Sequence, residues 1–146
     1  MKIKINKIRW KSGVGEALGF AACSLLLLLL VISLLSISNY EIRSQQITTA
    51  CYSAGRAAVV SSDPDLAKQR AEAVLKTIFG KSNVHTSETD EIDHVWYSIE
   101  VDDDEWRIGN IMTITVSQHI NEVFPIPETD IEFSLAMMIE DETVQK

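Results

Sequence analysis

From Ala17 to Ile37 the chain reads ALGFAACSLLLLLLVISLLSI, 21 residues with no charge, proline, asparagine or glutamine. Coiled as an α-helix at about 1.5 Å per residue, the run covers about 31 Å, the hydrocarbon thickness of a bilayer. A single membrane-spanning helix over 17–37 is the expectation. Ser24, Ser33 and Ser36 are compatible with it, because a hydroxyl in such a helix bonds back to a carbonyl one turn earlier. The flanks give the orientation. Residues 1–16 form a basic tail with Lys2, Lys4, Lys7, Arg9 and Lys11, whereas Asn39 to Gln46 brings only Glu41 and Arg43. The tail is expected to stay cytoplasmic and the remainder to lie outside. A cleaved secretory signal ending at Ser36-Ile37-Ser38 is the alternative, but its apolar core normally runs only about 7–15 residues. A lipoprotein signal at Cys23 fails, since most of the apolar run follows that cysteine.

The 146 residues leave room for one small domain beyond the span. Its charge separates it from nucleic-acid binders. The chain carries −8 overall, and from Asn39 onward 20 acids stand against eight bases. Such an exterior repels phosphate backbones, so no nucleic-acid partner is expected. Two cysteines without a C-x-x-C pair give neither a disulfide framework nor a zinc or redox motif. Cys23 and Cys51 lie 28 residues apart, about 42 Å along a helix, so they do not bridge within one chain.

Periodicity divides the rest. Gly15, Gly19 and Cys23 recur at four-residue intervals and place small residues on one helix face, where another helix can approach closely. Beyond the span, Ile47, Ala50, Cys51, Ala54, Ala57 and Ala58 continue at helical spacing with no breaker after Ile37, so one rod is expected from Ala17 to Val60. Its small-residue face suits packing on the chain's own second helix, and also close approach to a partner. Asp63-Pro64-Asp65 restarts a helix, with Asp63 as N-cap and Pro64 in the first position. Ala67, Ala71, Val74, Leu75 and Ile78 form its apolar stripe, and Gly80 ends it, making residues 38–80 a helical hairpin. Residues 81–146 then alternate with period two. Strands are expected at Val95 to Val101, Ile111 to Ile120 and Ile131 to Ile139, with an extended connection at Phe124 to Pro127 and a flexible loop from His85 to Asp93. The fold class is α+β, a small three- to four-stranded antiparallel sheet covered by the hairpin.

No chemistry emerges from these residues. His85, His94 and His119 show no short-range ligand spacing. The run Asp102 to Glu105 lacks the alternating ligands and central glycine of a calcium loop. No G-x-S-x-G elbow or P-loop is present, so neither an enzyme nor a cofactor is expected.

Several segments, in order, resemble a known family. Phe20-Ala21 opens the apolar helix, Gln45-Gln46 precedes an Ala-rich helix carrying Gly55-Arg56-Ala57-Ala58, and Trp106 to Val116 is followed by the Phe-Pro segment and by Met137 to Glu140. Over about two-thirds of its length the chain resembles the TadE-like pilus-assembly family of tight-adherence systems, minor pilin-like proteins related to type IV pilins. The resemblance implies a single-pass component of a surface appendage or secretion system, with other pilin-like or pilus-assembly proteins and copies of itself as partners. Gly13 and Gly15 are then the candidate processing glycines, although neither stands at the usual five-residue distance before position 19. The family carries Glu immediately before the Phe, where this chain has Gly19, which implies an unprocessed, minor component. A signal-anchored extracytoplasmic binding domain unrelated to pili is the alternative.

Overall fold

The computed structural model describes residues 4–87, 94–102 and 105–140, with side chains from Gly13 onward. Six elements follow one another: helix α1 (Lys4–Val59), helix α2 (Pro64–Phe79), and strands β1 (Val84–His85), β2 (Val95–Val101), β3 (Ile111–Ile120) and β4 (Thr129–Met138). The expected rod therefore starts earlier, within the basic tail, and runs 56 residues without interruption. No proline occurs before Pro64 and no glycine between Gly19 and Gly55, so nothing breaks the backbone ladder. Polar side chains in its outer half bond to their own helix, Thr48 to the Ser44 carbonyl (2.9 Å), Thr49 to Gln45 (2.8 Å) and Ser53 to Thr49 (2.8 Å).

The hairpin corner follows from Asp63 and Pro64. Asp63 is extended (φ −142°, ψ 142°) and its carbonyl takes the Ala67 amide at 2.9 Å. Its side chain makes no capping bond, so Pro64, preset for the first helical position, is what starts α2. Gly80 ends it at φ 95°, its amide donating to the Lys76 carbonyl at 3.1 Å.

The sheet runs in the order β1-β2-β3-β4. β2, β3 and β4 pair antiparallel, with Tyr97 opposite Val116 and Ile114 opposite Leu135. One face collects Val95, Tyr97, Met112, Ile114, Val116 and Ile131 into a core with Ile47, Ala50, Cys51, Ala54 and Ala58 of α1 and Ala67, Ala71 and Leu75 of α2. The other face is polar, with Thr115 and Ser134 hydrogen-bonded across it at 2.8 Å. This one-sided burial is what alternating strands produce.

Two expectations require correction. The sheet is mixed, because β1 pairs parallel with β2, Val84 opposite Val95. Val84 is buried, and burying it as the chain leaves α2 draws His85 out of the expected loop into a strand; residues 88–93 of that loop lie outside the described residues. Phe124 to Pro127 is not an extended connection. Val123 and Ile126 exchange both backbone hydrogen bonds (3.0 and 2.7 Å), closing a tight turn around Phe124 and Pro125, whose peptide bond is cis.

α1 lies so close to the sheet that Gly55 has no room for a large side chain. A β-carbon there would stand 3.0 Å from Met137 Sδ and 3.2 Å from Ile114 Cγ2. Gly55→Leu is expected to destabilise the fold by about 2 kcal/mol through overpacking. Gly55→Ala should change stability by less than about 1 kcal/mol, its helix propensity offsetting a contact that the flexible Met137 thioether relieves. Denaturant unfolding of the full chain in detergent checks both.

Candidate membrane anchor and packing surfaces

The apolar run is bare. Leu18, Phe20 and every leucine from Leu25 to Leu30 are exposed, Phe20 at 78%. A continuous apolar surface of this length with no partner in its own chain requires a covering medium or protein. By length and composition α1 is, among the described residues, the one helix able to cross a membrane. Its serines lose no hydrogen bonds in an apolar medium: Ser24 donates to the Ala21 carbonyl (2.9 Å), Ser33 to Leu29 (2.8 Å) and Ser36 to Ile32 (3.0 Å).

The small residues fall into two groups. Around Gly13, Gly15 and Gly19 nothing lies within 4 Å of where a β-carbon would sit, and the Cys23 thiol is exposed. That face is open. Ala50, Ala54 and Ala58 are fully buried in the chain's own core, with Ala57 half-buried at its margin. The head therefore uses its small-residue face internally, against α2 and the sheet, and the small residues left open to a partner helix are those from Gly13 to Cys23, at the start of the apolar run. Cys51 is buried too, its thiol 3.5 Å from the Ile114 carbonyl and 3.6 Å from that of Phe133, and burial pushes its pKa up to about 11. It is not placed to bridge two chains.

At the end of the head nearest the apolar run, a groove forms between α1 and the β3–β4 connection. Ser36, Asn39, Tyr40 and Arg43 line one wall, and Ile120, Asn121, Val123 and Ile126 the other. His119 fastens the base of that connection. Its Nδ1 lies 2.9 Å from Asp130 and its Nε2 3.1 Å from Glu128. Both nitrogens donate only when the ring is protonated. Hydrogen bonding to Asp130 raises the His119 pKa most, the Asp130 charge and Glu128 add to it, and partial burial opposes them.

The opposite end closes over the C-terminus of α1. The Trp106 indole donates to the Ser61 carbonyl (2.9 Å), the Glu140 amide to Val59 (2.9 Å) and the Arg70 guanidinium to Val60 (3.4 Å). Near the β1–β2 junction His85 Nε2 meets His94 Nδ1 at 3.0 Å, with the rings nearly parallel. Sequence spacing gave no sign of this pair, which depends on the parallel register of β1. Among the described residues no three histidine, cysteine or acidic side chains gather into a metal-binding group. Comparisons with protein-family models, with curated proteins and with solved structures returned no match to the chain.

Two outcomes follow from these geometries. The raised His119 pKa means the clamp stabilises fully below the unfolded value of about 6.5 and is lost as pH rises through the folded value. The difference in thermal midpoint between the parent and His119→Gln is expected to shrink as pH rises above about 6.5; a constant difference would contradict the clamp. In a Cys23→Ser background, a maleimide at neutral pH should label Cys51 only once the protein is unfolded, read by mass spectrometry.

Proposed function

We propose that the protein is a single-pass membrane component with a cytoplasmic N-terminus, whose acidic α+β head stands outside and takes part in building a TadE-like pilus or secretion assembly. It acts through helix packing and protein contacts and carries out no catalysis. The observation that carries this reading is α1 itself: its apolar half is uncovered while its outer half is the central core helix of the head, so anchor and head are one rigid element. The open Gly15-Gly19-Cys23 face supports lateral packing on a second helix, because small side chains let backbones approach closely. The groove lined by Ser36 supports retention of the span, since cleavage after Ser38 would remove part of its wall.

Gly15→Leu combined with Gly19→Leu is expected to reduce co-purification with pilus-assembly partners several-fold while association with alkaline-washed membranes stays unchanged. Equal co-purification would count against a packing face there. Sequencing the mature N-terminus separates retention from processing: Met1 fits a membrane-retained assembly component and the signal-anchored alternative alike, Val14 or Glu16 a processed subunit, and Asn39 a cleaved and released domain; the co-purification result then separates the first two.

A further inference from the structure

Val123, Phe124, Pro125 and Ile126 form the tip of the tight turn between β3 and β4, and the tip is apolar and uncovered: Phe124 is 61% exposed and Val123 49%. Nothing in the head's own core needs these side chains. The position of the turn gives them a use. Val123 and Ile126 share their groove with Ser36, which belongs to the apolar run itself, one residue before its end. Ser36 is the one buried side chain among the described residues of that run, at 7% exposure. The groove's α1 wall from Ser36 to Arg43 is only about 10 Å long, so the turn lies level with the end of the span rather than out along the head. Tyr40, on the same wall, is a residue type suited to the boundary between hydrocarbon and water.

We propose that the Val123–Ile126 turn is a second membrane contact, seated in the interfacial layer of the outer leaflet, so that the head meets the bilayer at two points instead of hanging from α1 alone. This rests on the reading of α1 as a membrane span. The contact is apolar rather than electrostatic: Glu122 and Glu128 flank the turn, and anionic headgroups would be repelled by them. A neutral, zwitterionic surface is the partner it fits. The turn is mounted for this role, because the strands that carry it are fastened together at their ends by His119, Asp130 and Glu128.

The test uses the full chain with Cys23→Ser, reconstituted in phosphatidylcholine nanodiscs, with an environment-sensitive fluorophore on a single introduced cysteine at Leu28, Phe124 or Met138. Met138 is equally exposed (61%) but lies at the other end of β4, about 30 Å away. Quenching is measured with nitroxide lipids labelled shallow or deep in the chain, and with aqueous iodide. The expected result is deep-lipid quenching at Leu28, shallow-lipid quenching at Phe124 at least threefold above that at Met138, and iodide quenching at Met138 alone. A label at Val123 should repeat the Phe124 result. If Leu28 is quenched by lipid while Phe124 responds only to iodide, the head stands clear of the bilayer and the proposal fails with the span intact. If Phe124 responds to neither quencher, a protein surface covers the turn and the proposal also fails. If Leu28 escapes lipid quenching, the span reading falls and takes the proposal with it.

Discussion

An α-helix satisfies its backbone hydrogen bonds within itself, so it can pass from hydrocarbon into water without exposing an unpaired polar group. α1 has that property across 56 residues, and every other element is arranged around its outer half. The same property explains why the serines of the apolar run are harmless: each returns its hydroxyl to a carbonyl of its own helix. Because the ladder is unbroken, the change along α1 is marked only by side chains, apolar and, Ser36 apart, bare up to Ile37, mixed and packed from Ile47 onward.

The head is built by bringing that helix unusually near a sheet. Ala50, Cys51, Ala54 and Ala58 have little bulk, and Gly55 has none, so the branched residues of β3 and β4 reach the helix backbone. Larger side chains on the facing elements, Leu75, Met112, Ile114 and Val116, fill the space; burying each contributes about 1.5–3 kcal/mol. The helix end, where carbonyls would otherwise go unpaired, is closed by Trp106, Arg70 and the Glu140 amide, each from a different part of the chain. Closure at that end ties the sheet to α1, while the His119 clamp at the other ties β3 to the start of β4.

Much of this was legible in the residues, and the parts that were not share a cause. β2 and β3 lie where alternation placed them, and α2 has the boundaries its proline and glycine announce. Those signals are local. β1 is two residues long and exists only because Val84 finds the core and Val95 finds Asn83. The turn at Phe124 was misjudged because the prolines' missing donors say nothing about whether Val123 and Ile126 pair across them. His85 with His94, and His119 with Asp130, are nine and eleven residues apart, and only strand register brings them together. Helical spacing likewise identified the face carrying Ala50 and Ala54 and its fit to the chain's own second helix, without saying that β3 and β4 would share it.

The unbroken course of α1 also fixes a rotational phase. Gly19 and Gly55 are 36 residues apart, about ten full turns at 3.6 residues per turn, so the two point in nearly the same direction from the axis. Gly55 faces the sheet. The open stripe of Gly15, Gly19 and Cys23 therefore lies on the sheet side of the rod, far beneath the head, and not on the bare back of the helix. A neighbouring helix seated on that stripe would rise toward the overhang of the first molecule's sheet, and the two helices would have to cross or diverge above the stripe to let both heads through. Crossing or divergence of neighbouring helices would then be a geometric consequence of helical phase.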